Sequence, residues 1–144
     1  MTRPPNDERT ALPDEHLLRA YRAADYRVSG HLLHIDQPHP DFDRQLERLG
    51  VQTYVLLTAY NPRSTPLPDP VNRARHLTLL ELVEGRQLGW LPASGADPAQ
   101  DWQEEIGICL LDPRPADARE LARLYEQHAI VEGFRGGAPV LYWL

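Results

Sequence analysis

Residues 53–60 read T-Y-V-L-L-T-A-Y, the most apolar strand-like run of the chain. A continuous apolar and β-branched stretch of this length suits a strand covered on both faces, or nearly so. Asn61–Pro68 follows with Pro62, Pro66 and Pro68, and so must be loop. Asp69 reads as the cap of a helix with Pro70 at its first position, running to about Gly85. Its apolar residues, Val71 to Val83, lie nearly all round, so the pattern assigns no buried face. Leu88–Ala93 reads as a short strand, 94–101 as a loop and Glu104–Leu111 as a second apolar strand. Pro115 opens a helix with Ala118, Leu121, Ala122 and Tyr125 at i, i+3, i+4 and i+7, an amphipathic stripe. Ala129–Glu132 and Val140–Trp143 read as strands on either side of an R-G-G turn.

From Thr53 to Glu132 the order is therefore strand, helix, strand, strand, helix, strand, the split β-α-β-β-α-β pattern of ferredoxin-like folds. Ahead of it, a helix from Pro13 carries Leu17, Leu18, Tyr21 and Ala24 at helical spacing. Tyr26–Val28 and His31–Ile35 form strand pieces around Ser29-Gly30, and Pro40 opens a short helix with a Phe42, Leu46, Leu49 stripe ended by Gly50. The expectation is an α+β two-layer sandwich: a ferredoxin-like core preceded by an N-terminal helix, strands and a short helix. Residues 1–12 are expected to be a flexible tail and 13–144 a single domain.

Composition removes several function classes. A net charge of −6 argues against non-specific binding along a nucleic-acid backbone, which needs a basic face. All 15 cationic side chains are arginine, so Schiff-base chemistry on lysine and a Walker-type phosphate loop are excluded. One cysteine, Cys109, excludes an intramolecular disulfide framework, and its apolar strand predicts a buried, inert thiol. No apolar run approaches the roughly 20 residues that span a bilayer, and M-T-R-P-P-N-D-E-R-T is no secretory signal, so the expected location is cytoplasmic and off the membrane.

The strand order makes segments distant in sequence converge. T-A-Y-N-P-R-S (58–64) leaves the first strand, and N-R-A-R (72–75) is the first turn of the next helix. The start of the third strand (Glu104, Glu105) and the end of the second helix (Gln127, His128) reach the same edge. A binding pocket for a small anionic ligand, a nucleotide among the candidates, is expected from Asn61, Arg63, Asn72, Arg73, Glu105 and Gln127. Arginine forks match phosphate and carboxylate. Against it, Asn-Pro is ordinary turn chemistry, and Arg73 is expected to pair with a carboxylate of D-W-Q-E-E (101–105). Asp101, Glu104 and Glu105 admit a second, hydrolytic reading, metal-assisted or acid–base. Ser64 and His128 could pair as nucleophile and base, though no nucleophile-elbow pattern surrounds them. His31, His34, His39 and Asp36 lack a second cluster with ligand spacing, so no metal site is expected. The apolar terminus V-L-Y-W-L admits an interaction module, its edge strand pairing with a partner or a second copy of the chain.

In T-A-Y-N-P-R-S, the following N-R, the W-x-E-E segment (Trp102, Glu104, Glu105) and the late Gln127, the chain resembles a small bacterial family, domain of unknown function 3293. The likeness spans roughly Leu17 to Ala129. It implies a fold neighbourhood and no established activity or cofactor.

Overall fold

The computed structural model describes residues 14–144, so the expected tail over residues 1–12, and Pro13, lie outside the described residues. Helix α1 (Glu15–Ala23) starts where the Asp14 carboxylate accepts from the backbone N–H groups of His16 (2.8 Å) and Leu17 (3.2 Å). Strands β1 (Asp25–Val28) and β2 (His31–Leu33) form a hairpin. Ser29 and Gly30 turn it with φ of 48° and 85°, the left-handed pair that matches strand twist. Helix α2 (Pro40–Leu49) stops at Gly50, whose φ of 71° closes the last turn. There follow β3 (Thr53–Leu57), a 3₁₀ turn (Pro62–Ser64), α3 (Asp69–Gly85), β4 (Gly89–Ala96), β5 (Glu105–Leu111), α4 (Pro115–Leu124), β6 (Ala129–Phe134) and β7 (Val140–Trp143).

The strands make one seven-stranded sheet in the order β2-β1-β4-β5-β3-β6-β7, with every pairing antiparallel. β3 pairs on both edges, Leu56 standing opposite Cys109 of β5 and Val131 of β6. Its side chains alternate between two cores. Val55 and Leu57 join Leu79 and Val83 of α3 and Leu121 of α4. Tyr54 and Leu56 join Val28, Leu33, Phe42 and Leu46. The sheet is thus covered on both faces, where a two-layer sandwich was expected. The Phe42–Leu46 stripe of α2 supplies the second cover, with the Phe42 ring edge-on to Tyr54 at 5.1 Å. Gly133 stands opposite Tyr54, and a Cβ there would overlap the tyrosine ring.

Three local expectations change, and one face left open is assigned. β3 ends three residues early, because the Thr58 hydroxyl donates to the Ile106 carbonyl (2.6 Å) and accepts from the Tyr60 N–H (3.0 Å), diverting the ladder. β4 continues through Ser94-Gly95-Ala96, which pairs with β1 on one edge and partly with β5 on the other. Asp69 does not cap α3: the helix starts at Asp69 itself behind Pro68, without a side-chain cap bond. The buried face of α3, which the pattern left open, carries Asn72, Leu79 and Val83. Among the described residues, no helix is long and apolar enough to cross a membrane.

Candidate functional site

At the exit of β3 the backbone turns sharply. Asn61 takes φ of 48°, a left-handed conformation that asparagine tolerates better than most residues. Its backbone N–H donates to Asn72 Oδ1 (2.9 Å), and its own Oδ1 accepts from Asn72 Nδ2 (2.7 Å) and from the Leu67 N–H (3.0 Å). Its side-chain Nδ2 donates to Glu105 Oε1 at 3.0 Å. Gln127 Nε2 donates to the carbonyls of Tyr60 (3.0 Å) and Tyr125 (3.1 Å). Asn61, Asn72, Glu105 and Gln127 therefore meet at one end of the sheet.

Glu105 and Gln127 line a cavity of about 60 Å³ with Tyr21, Tyr26, Leu56 and Trp102 among its walls. Gly107, Gly95 and Ala93 also line it, and register puts them with Glu105 on one face of the sheet: Gly95 opposite Glu105 and Ala93 opposite Gly107. Glycine is needed there by close approach: a Cβ at Gly107 would stand 2.5 Å from the Leu57 carbonyl oxygen, and one at Gly95 would lie against the Tyr26 ring at 3.5 Å. Burial raises the Glu105 carboxyl above its ordinary range, opposed in part by the Asn61 hydrogen bond. Tyr26 is raised for the same reason, and its hydroxyl donates to the Tyr21 carbonyl at 2.8 Å.

The arginines stand apart from this cavity. Arg63 is 74% exposed and its Nε meets Glu126 at 3.1 Å. Arg73 is 72% exposed, and its nearest carboxylate is Asp69, one helical turn back at 3.9 Å, not the D-W-Q-E-E segment. Glu104 of that segment instead accepts from the Ser94 hydroxyl (3.1 Å). Arg75 is committed to backbone: Nε to the Ala59 carbonyl (2.7 Å) and Nη2 to the Tyr125 carbonyl (2.8 Å), which ties α3 to the ends of β3 and α4.

A second group adjoins the first. Ser64 Oγ lies 3.0 Å from His128 Nδ1 and 3.2 Å from the Tyr21 hydroxyl. The His128 ring stacks on Trp143 at 5.5 Å, and Trp143 meets Tyr21 edge-on at 5.9 Å. Burial lowers the His128 pKa and the Arg63 guanidinium lowers it further, with Asp14 opposing.

The other candidates have structural partners. His34 Nε2 contacts Asp25 (2.7 Å), His39 Nε2 accepts from the His34 N–H (2.9 Å), and Asp36 faces Arg22 (3.6 Å). Among the described residues no group of three His, Cys, Asp or Glu could hold a metal ion. Cys109 is buried, which pushes its thiol far up and leaves it a poor nucleophile. Tyr21 and Tyr26 had no sequence signal as site residues. Tyr21 reads as part of an apolar helical stripe, and nothing local announces that β1 will pair with β4.

The fold and this end of the sheet define a mixed α and β domain with a small, acid-bearing cavity. Residues 57–130, just over half of the chain, match the family described as a protein of unknown function (DUF3293), and the chain belongs to that family. The matched segment holds Asn61, Arg63, Asn72, Arg73, Glu105 and Gln127, but starts after α1 and β1, which bring Tyr21 and Tyr26. No curated protein and no solved structure matches the chain.

Proposed function

We propose that this chain binds a small molecule at the Glu105 end of its sheet, through a neutral or cationic hydrogen-bond donor. The observation that carries this reading is the Glu105 carboxyl, set among aromatic and small aliphatic walls with Asn61 as its side-chain hydrogen-bond donor. A carboxyl in such surroundings is costly to ionise, and a ligand N–H group or ammonium would offset that cost. Gln127 supplies a second anchor, because its Oε1 is an acceptor that its two Nε2 bonds leave uncommitted.

The anionic ligand expected from sequence fits the cavity poorly, since it would meet a like charge. An anionic group belongs outside, near Arg63 and Arg73. A volume of about 60 Å³ takes the amine or amide end of a ligand rather than a whole nucleotide. The central order β4-β5-β3-β6, antiparallel throughout and flanked by α3 and α4, supports a ferredoxin-like core as the scaffold of this site. A second reading, self-association through the outer strand β7, draws support from the exposed Phe134 and Val140 at that edge. Sedimentation of the wild type and Val140→Glu would test it, with a monomer at all concentrations counting against it.

The test of the main reading is a thermal-shift screen of small amines and amides against matched carboxylates and phosphates. The wild type and Glu105→Gln are compared at one ionic strength. Amines should stabilise the wild type saturably through mass action, and the effect should be lost in Glu105→Gln. Saturable stabilisation by the anions alone would overturn the donor reading. Linear, unsaturating shifts from every compound would overturn binding itself.

A further inference from the structure

The binding reading makes no use of Ser64 or His128. Ser64 ends a turn in which three non-glycine residues, Asn61, Arg63 and Ser64, hold φ values of 48°, 52° and 58°. Left-handed residues this close together are strained and persist only where the surroundings fix them. Here the Arg63 N–H donates to the Glu126 carbonyl (2.7 Å), the Ser64 N–H to the Asn61 carbonyl (2.9 Å) and the Thr65 N–H to the Pro62 carbonyl (3.0 Å). The turn delivers Oγ to hydrogen-bonding distance of His128 Nδ1 while leaving Ser64 partly exposed. His128 is fixed in turn: its ring lies 7° from parallel with Trp143, and its carbonyl accepts from the Leu144 N–H at 2.8 Å.

We propose that Ser64 is an acyl-accepting nucleophile with His128 as its general base, acting on small esters beside Tyr21, the residue that this pair shares with the lining of the Glu105 cavity. Oγ attacks the ester carbonyl carbon, forming the Oγ–C bond as its proton passes to His128 Nδ1 and the carbonyl π pair moves onto oxygen. Collapse breaks the bond to the alcohol oxygen, which takes the proton from His128 and leaves. Water then attacks the acyl-serine by the same route, releases the carboxylic acid and restores Ser64. The Tyr21 hydroxyl, 3.2 Å from Oγ, is the donor available to the developing oxyanion. Burial raises its pKa, so it stays protonated. Among the described residues no carboxylate hydrogen-bonds His128 Nε2, which makes the pair a dyad. The charged groups acting on His128 are Arg63, which favours the neutral base, and Asp14, which opposes it.

This chemistry does not depend on the Glu105 cavity being a ligand site, and the test separates the two. The folded protein is treated with a fluorophosphonate, and adducts are located by peptide mass spectrometry. A single adduct on Ser64 is expected, slowed at least about 100-fold in His128→Gln and about tenfold in Tyr21→Phe. In Ser64→Cys, alkylation by iodoacetamide should likewise depend on His128, which retains a test if Ser64→Ala folds poorly. Absence of an adduct on wild-type Ser64 would overturn the proposal. So would adducts spread equally over exposed serines and tyrosines, or a rate unchanged in a His128→Gln variant that melts as the wild type does.

Discussion

Asn72 and Asn61 hold each other by a reciprocal pair of hydrogen bonds, Asn61 N–H to Asn72 Oδ1 (2.9 Å) and Asn72 Nδ2 to Asn61 Oδ1 (2.7 Å). Asn72 Nδ2 also reaches the Leu67 carbonyl at 3.2 Å. With Asn72 only 3% exposed, water cannot take its place. Truncation strands buried backbone and amide groups at roughly 1–3 kcal/mol each. Asn72→Ala should therefore lower the unfolding free energy by about 3 kcal/mol, measured by urea titration as a lower midpoint with an unchanged slope. A loss below about 1 kcal/mol would mean that the Asn61 turn holds itself.

Arg73 invites the opposite expectation. Its contact with Asp69 is long, exposed and one helical turn away, the geometry of pairs that contribute about 0.3–0.5 kcal/mol. Arg73→Ala should cost less than about 0.5 kcal/mol, and its effect should add to that of Glu105→Ala, since the two residues share no contact. A coupling energy above about 1 kcal/mol in that double-mutant cycle would restore the pairing that the charge pattern suggested.

What the sequence reveals here divides along physical lines. The convergence of Asn61, Asn72, Glu105 and Gln127 was legible, because strand order alone decides which element ends share an edge. The second face of the sheet was not. A Phe42–Leu46 stripe says that α2 buries one side, but nothing local says against what. Ser94-Gly95 reads as the start of a loop, yet pairing with β1 and β5 overrides that preference. The partner of Arg73 was in plain view at i−4. That of Arg75 was not, because backbone carbonyls carry no sequence signal.

Gly133 illustrates a constraint that only register reveals. It stands opposite Tyr54, and a methyl group there would sit within the tyrosine ring. Tyr54 is almost wholly buried against Phe42, so the ring has little room to move. Gly133→Ala should destabilise by about 2 kcal/mol or more, as overpacking does. In the Tyr54→Leu background the same change should cost much less. Equal costs in both backgrounds would place the strain in the β6 backbone instead.

Glu105 gives the sharpest dependence on pH. Burial raises its carboxyl pKa in the folded protein, whereas the unfolded chain titrates near the ordinary 4.5. Between the two values the folded state binds more protons than the unfolded one, so stability falls as pH rises through that window. Below 4.5 the contribution is fully present, and above the folded pKa it is fully lost. Glutamine cannot ionise, and its Oε1 can still accept from Asn61 Nδ2. Glu105→Gln should then melt higher than the wild type at pH 8, with the advantage shrinking steadily below the folded pKa. His128, whose lowered pKa adds its own acid dependence, is present in both proteins and cancels in the difference. Melting curves of the two proteins from pH 4 to 8 decide the matter. A gap that stays constant with pH would show that the carboxyl at 105 is not strained by burial, and the cavity would lose its reason to demand a donor.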